Sequence, residues 1–337
     1  MINWELKKIF KCRTGLIVLV LFVFLSGIMV FLNPTLETEN SYRNDKYELI
    51  VDTRPGNEIA QEKFDEKIKQ IANTNANDDF MNKIGEISRD NLKFMKYKEY
   101  KEVNFYKVIN YKASHPFMSV IMVIILVLIF SNIYVDEKIS GVDSIILSSE
   151  NKLKVLYSKL GLAIIVPLIM YGGYLIIEFL VTLVKYGAPV NGGLEAFRII
   201  DNGFILLNGT YTINEYLVLK IITMLLIFIS ISVFSSFFSF ISNNSLASIS
   251  GILIFIGVGK VLTLIKFLPS LLLNILSVGN YVDLIFYSDR FVGMYAGNVN
   301  ILGISLELIN LCNGILIATL LTGVILCIVT FKKVLTR

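Results

Sequence analysis

In this chain the side chains able to do chemistry are few and isolated. Glu178 is the acidic residue set deepest in an apolar run, Lys260 and Lys266 are lone cations in another, and His115, the single histidine, stands before Pro116. A charge in hydrocarbon is costly to hold, so such residues are by default candidates for contact with an ion or a substrate. Counting along its run at about 1.5 Å per residue places Glu178 near the far interface, which leaves two readings: an interfacial anchor, or a contact in a transport pathway. Lys260 and Lys266 have stems long enough to carry their charges outward to the interface. A single histidine at the mouth of an apolar run reads as an interfacial side chain rather than as a base or a ligand. Neither HExxH, GxSxG nor a carboxylate pair placed for intramembrane chemistry occurs, so no catalytic residue is assigned and the chain is not read as an enzyme. Cys12, Cys312 and Cys327 form no CxxC pair, and with one histidine they give no basis for a zinc centre or a disulfide framework.

One polar stretch has more to offer. Asp136-Glu137-Lys138-Ile139-Ser140-Gly141-Val142-Asp143-Ser144-Ile145-Ile146-Leu147-Ser148-Ser149 separates two apolar runs and is followed by Lys152, Lys154 and Lys159. Ile139, Val142, Ile145 and Ile146 fall on one stripe of a short amphipathic helix. Such a helix either lies on the membrane surface or packs into a groove on another protein and passes that protein's rigid-body motion to the spans it joins.

The elements that must position these residues are apolar helices. Of 337 residues, 55% are hydrophobic and 17% charged, more apolar surface than one soluble core needs, so the surplus faces lipid. The net charge is +4, with 31 basic residues that form no single-sign tract, which argues against nucleic-acid binding. Ile2, Leu6, Ile9 and Phe10 alternate at helical spacing with Glu5, Lys7, Lys8 and Lys11, predicting a basic amphipathic helix over 1–14 that lies at the membrane surface. Six apolar stretches long enough to span follow, at 15–32, 116–135, 158–184, 215–241, 246–268 and 311–331. A signal peptide is the competing reading of the first, but the run is long for one and no small-x-small cleavage site follows, so an uncleaved anchor is expected. Six spans put both ends on one side, and the basic residues at 7–13 and 332–337 place that side in the cytoplasm by the positive-inside rule. The fold class expected is thus an all-α, multi-pass protein of the cell membrane.

Segment 33–115 then lies outside the cytoplasm and is too long for a simple loop. Ile59, Ile68 and Ile71, then Phe80, Ile84 and Ile87, are spaced for short amphipathic helices, giving a small helical insertion. In the loop 185–214, Gly192-Gly193 and Asn208-Gly209 mark turns. Asn208-Gly209-Thr210 also fits a glycosylation sequon, which carries no meaning in the low-GC bacterium that the Asn-, Ile- and Lys-rich composition resembles. Within the extracytoplasmic or re-entrant segment 269–310, the stretch 269–287 is apolar but short and interrupted by Ser277, Gly279 and Asn280, as expected of a re-entrant or interfacial helix pair. Pro167 is expected to kink the third span.

Segment 136–157, with the lysine just beyond it, resembles the coupling-helix signature of the type-two ABC exporter permeases. That signature has an acidic residue as a span ends, Gly four positions on, an aliphatic Leu-Leu-Ser-like run, a turn and a closing Lys. Here Glu137, Gly141, Ile145, Ile146, Leu147 with Ser148, the turn 149–151 and Lys159 fill those positions, while the usual turn Pro is replaced by Glu150. The layout is similar throughout, from the amphipathic entry helix to the broken apolar segment before the last span. The resemblance implies a permease subunit that pairs with a second permease, identical or different. Two cytoplasmic ATPase subunits would dock on 136–157 and supply the ATP and Mg²⁺ chemistry. No GxxxxGK[ST] is present, and Gly257-Val258-Gly259-Lys260 falls inside a span, so no cofactor is expected in this chain. The cargo classes implied are amphiphilic: peptides, drugs or lipid-linked molecules. The alternative is a non-transporting sensor or immunity protein that binds a ligand through 33–115.

Overall fold

The computed structural model describes residues 2–335 apart from 12, 44–48, 74–78, 94, 96–97, 150–151, 201–210, 266, 270–271, 274–275, 277–278, 289–297 and 302–303. The chain is helical with two short antiparallel hairpins. Six stretches are long and apolar enough to cross a membrane: Thr14–Phe31, Asn104–Ile139, Lys152–Tyr186, Ile213–Ile241, Ser245–Leu262 and Asn310–Lys333.

The first helix, α1 (Ile2–Lys11), leads into α2 (Arg13–Phe31). Next come the hairpin β1 (Ser41–Arg43) and β2 (Leu49–Val51), in the register Tyr42 to Ile50, and the helices α3 (Gly56–Ala72) and α4 (Asp79–Lys93). Helix α3 buries Ile59, Ala60, Phe64 and Ile71, a face at helical spacing. The second apolar stretch is not one rod. It comprises α5 (Asn104–Ala113), α6 (Pro116–Phe130) and α7 (Val135–Ile139). Alone, α6 has 15 residues, about 22 Å of rise against roughly 30 Å of hydrocarbon, so the flanking helices make up the length. His115 is the cap of α6: its Nδ1 accepts a hydrogen bond from the Phe117 amide at 3.2 Å, with Pro116 at the first helical position, where no amide is needed.

After α7 come α8 (Val142–Ser148), α9 (Lys152–Tyr186), a 3₁₀ turn at Ala196–Ile199, α10 (Ile213–Ile241) and α11 (Ser245–Leu262). A short α12 (Tyr281–Phe286) precedes the hairpin of β3 (Asn298–Ile301) and β4 (Ile304–Glu307), which feeds α13 (Leu308–Leu335). Helix α10 is the axis, packed against α6, α9, α11 and α13. It starts with a capping box in which Thr212 and Glu215 bond reciprocally (2.9 and 3.3 Å). Its buried face carries Ser230, Ser232, Ser235, Ser236 and Ser239, all 0% exposed, and small side chains of this kind let helices approach closely. By contrast α11 buries only Ser248 and Ile252, so its other faces are left for lipid or another chain.

Four expected boundaries move. Helix α5, expected in the insertion, packs on α9 and α10, because its polar residues Lys107, Asn110 and Lys112 are buried with partners rather than solvated. Helix α9 begins at Lys152 and absorbs 152–157 of the expected coupling segment, since no proline stops it there. Expected to run to 268, α11 ends at Leu262, where the Thr263 hydroxyl turns back to the Lys260 carbonyl at 2.6 Å. Of the helix pair expected over 269–287, the second member is the short helix α12, capped by Asn280, with Leu284 fully buried, and the described residues 272, 273, 276 and 279 before it are helical too. Lys266, Ser277 and the sequon at 208–210 lie outside the described residues.

The joint between α6 and α7 exposes the cost of the break. The amides of Tyr134 and Val135 have no helical acceptor and both donate to Ser239 Oγ of α10, at 3.0 and 3.1 Å. Ser239→Ala leaves two buried donors without that acceptor and is expected to destabilise the chain by about 1–3 kcal/mol, read as a lowered midpoint in thermal denaturation of the detergent-purified protein. Ser239→Thr, which keeps the oxygen, is expected to lose less; equal losses for the two would mean that the oxygen is not what matters.

A buried ionic clamp beneath an exposed helix

Helix α7 carries Glu137 inward, 2% exposed. Its Oε1 accepts from Lys159 Nζ of α9 and from Lys8 Nζ of α1, each at 2.8 Å. Lys159 is 0% exposed and also donates to the Ile133 carbonyl (2.8 Å), with Glu5 of α1 at 3.4 Å. The ring of Tyr134 lies 6.0 Å from the same ammonium, a cation–π distance. The motif's first and last members, 22 positions apart in sequence, are therefore one ion pair. A buried ammonium without a counter-charge is severely penalised, so the pair fixes the start of α9 against α7.

Helix α1 belongs to this clamp. Glu5, expected on the solvated face of a surface helix, is 3% exposed and turned towards Lys159, and α1 packs on both α2 and α9. A cavity of about 50 Å³ opens beside Glu5, Lys8, Asn132 and Asp136, enough for water to reach the rim of the cluster. On the far side of α7, Lys138 Nζ donates to the Phe240 and Ser242 carbonyls at 2.6 and 2.8 Å, a cation on the last carbonyls of α10, where the helix dipole favours it. Tyr134 packs edge-on against Phe240 and Phe331, with centroids 5.3 and 5.9 Å away. Helix α7 is thereby tied to α1, α9, α10 and α13.

Gly141 makes the joint to α8 at φ +68°, ψ 6°, a left-handed conformation that glycine adopts without the penalty other residues bear. Beyond it α8 buries none of its residues. Ile145 is 67% exposed and Ile139 64%, while Ile146 and Leu147 are half-buried. The structure thus gathers Glu137 and Lys159 into one buried pair and leaves Ile145 of the aliphatic run exposed, with Ile146 and Leu147 half-buried.

Glu178 sits at the other end of α9. It is fully buried and accepts from Lys112 Nζ of α5 at 2.9 Å. The hydroxyls of Tyr171 and Tyr174 donate to the Ala113 and Lys112 carbonyls (2.8 and 3.0 Å), and Lys220 of α10 donates to Asn110 Oδ1 at 2.7 Å. Lys159 and Glu178 are 19 residues apart on α9, about 28 Å of rise and close to the roughly 30 Å of a hydrocarbon core. Lys260, expected to reach outward by its own length, is 49% exposed and pairs with Asp283 of α12 at 2.7 Å. Among the described residues no group of His, Cys, Asp and Glu is arranged to hold a metal ion.

Sequence reasoning missed Glu5, Lys8, Lys112 and Lys138. The available signal was one acidic residue in an otherwise basic helix for Glu5, and a lysine at i+1 from the motif's carboxylate for Lys138; nothing pointed to Lys112. Comparison with protein-family models, with curated proteins and with solved structures finds no match.

Glu137→Ala is expected to cost about 3–5 kcal/mol, because it strands the Lys159 charge. The double change Glu137→Leu with Lys159→Met is expected to recover most of that loss, measured as thermal midpoints of the purified chain. A double variant as unstable as the single one would mean that the stranded charge is not the source of the loss.

Proposed function

We propose that the protein is the membrane-spanning subunit of an ATP-driven exporter, and that α7 and α8 form the lever through which a separate cytoplasmic ATPase moves the spans. One observation carries this reading: a short helix with outward aliphatic side chains, joined through a glycine hinge to a helix that buried charges lock to α1, α9 and α10. A helix meant only to float on lipid needs no such lock. A lever does, since displacement of α8 is useful only where its root cannot slip.

On this reading both termini and α8 are cytoplasmic, in keeping with the basic residues around α1 and at the end of α13. The amphipathic α1 lies at the inner surface, and the hairpin with α3 and α4 forms an extracytoplasmic cap. A second permease copy or paralogue covers the apolar faces that α11 and α13 leave open. Lipids surround the pair, and ATP and Mg²⁺ belong to the ATPase. The cargo is amphiphilic: a peptide, a drug or a lipid-like molecule. The exporter reading is supported by the resemblance of 136–159 to the coupling segments of type-two ABC permeases.

Ile145→Asp tests the lever. The side chain is exposed, so folding stability is expected to stay within about 0.5 kcal/mol. Loss of an aliphatic anchor worth about 1.5–3 kcal/mol should weaken recovery of the ATPase with the affinity-purified chain by roughly tenfold to a hundredfold. Recovery of no ATPase with the unaltered protein, or equal recovery with the variant, would remove the exporter reading and favour a membrane sensor or immunity protein.

A further inference from the structure

The charges of the clamp divide by element into two neutral pairs. Helix α1 brings Glu5 and Lys8, while α7 and α9 bring Glu137 and Lys159. Removal of α1 takes away one carboxylate and one ammonium, and Lys159 still holds Glu137 and the Ile133 carbonyl, each at 2.8 Å. Separation of α7 from α9, by contrast, strands two charges that are 2% and 0% exposed. One seam of the clamp can therefore open without stranding a charge, and the other cannot.

The seam along α1 is also the weaker in geometry. Its short contact, Lys8 to Glu137, begins on a lysine whose side chain is 32% exposed, so water already shares that charge. The other, Glu5 to Lys159, is 3.4 Å, longer than the roughly 2.7–2.9 Å of a strong charge-assisted bond. The cavity of about 50 Å³ lies along this seam, with Glu5, Lys8 and Ile9 on one wall and Asn132, Ile133 and Asp136 on the other. Asp136 is exposed, so its charge stays with water wherever α1 lies.

Helix α7 does not depend on α1 for its place. Ser239 accepts from the amides of Tyr134 and Val135, and Lys138 donates to the Phe240 and Ser242 carbonyls, which tie α7 to the end of α10. Helix α1 ends at Lys11 and α2 begins separately at Arg13, a joint about which α1 can swing with its own backbone bonds intact.

A second seat for α1 is encoded in its residues. Ile2, Leu6, Ile9 and Phe10 recur at helical spacing, and Lys7, Lys8 and Lys11 against Glu5 leave a net charge of +2. A helix of this composition lies in an anionic membrane surface, where each basic residue strengthens binding about fivefold.

We propose that α1 is a detachable strap over the root of α8, which leaves the clamp as a neutral unit and lies on an anionic membrane surface. Seated, it gives Glu137 a second ammonium and binds α7 to a third helix. Detached, it leaves α7 locked to α9 and α10, with Glu137 accepting from Lys159 alone. The strap thus sets how firmly the root of α8 is held without dismantling it. It rests on the clamp and holds whether or not an ATPase docks on α8.

The test uses spin labels on the full chain in a Cys12→Ser background, with Cys312 and Cys327 buried, in nanodiscs of stated lipid, and reads distances by pulsed dipolar spectroscopy. Lys7→Cys with Ile139→Cys, both exposed, reports α1 against α7. Ile139→Cys with Leu153→Cys, 64% and 41% exposed, reports α7 against α9. The first pair is expected to show a near and a far distance, and Glu5→Ala with Lys8→Ala to raise the ratio of far to near about tenfold or more. Phosphatidylglycerol in place of phosphatidylcholine should raise that ratio severalfold. The second pair should keep one distance throughout, with the thermal midpoint of the double variant close to that of the unaltered chain, and should be disturbed by Glu137→Ala. An α1 to α7 distance unmoved by the double variant, a ratio equal in the two lipids, or movement of both pairs together would each overturn the strap.

Discussion

The Lys159 ammonium is fully buried, and much of this end of the bundle follows from that. Its charge is met by Glu137 and Glu5 and by the Ile133 carbonyl, so α9 cannot begin anywhere but against α7 and α1. Replacing such a pair by apolar residues of similar volume is often tolerated, whereas removing one member alone is not. The pair therefore does more to specify an arrangement than to add stability. It selects the register of α1, α7 and α9 in which Glu5, Lys8, Glu137 and Lys159 meet.

The opposite end of the bundle repeats the device with other residues. Lys112 and Glu178 close α5 on α9, and Lys220 reaches Asn110. Helix α9 thus carries one half of an ion pair near each end, separated by close to the thickness of a hydrocarbon core. Between the two, contact with α10 relies on apolar side chains and small serines, a packing that allows helices to shift slightly without stranding a charge. Bundles whose ends are keyed and whose middle is smooth suit rigid-body rocking, the motion the proposed lever would drive.

The apolar helices were legible because hydropathy over eighteen or more residues is a strong signal, and five of the six candidate spans begin or end within a few residues of the expected positions. In α3 the period marked Ile59 and Ile71, which are buried, but passed over Phe64, which is buried with them. The division of the second span was not legible, since its break is satisfied by Ser239, which is 104 positions further on. The hairpin at 41–51 escaped notice because its strands are three residues each, too short for alternation to register. In the candidate site the motif drew attention to Glu137, Gly141 and Lys159, but not to the pairing of the first with the last. The partners Glu5, Lys8 and Lys112 looked like solvated charges, and only tertiary contact distinguishes a solvated lysine from a buried, paired one.

The account stands on α8 facing the compartment that holds ATP. Ile145→Cys in a Cys12→Ser background supplies one exposed thiol on that helix, Cys312 and Cys327 being buried. A membrane-impermeant maleimide should label it in inside-out vesicles and leave it untouched in intact cells, with protection in the vesicles when the ATPase is bound. Labelling from outside intact cells would place the helix on the wrong face and contradict the account.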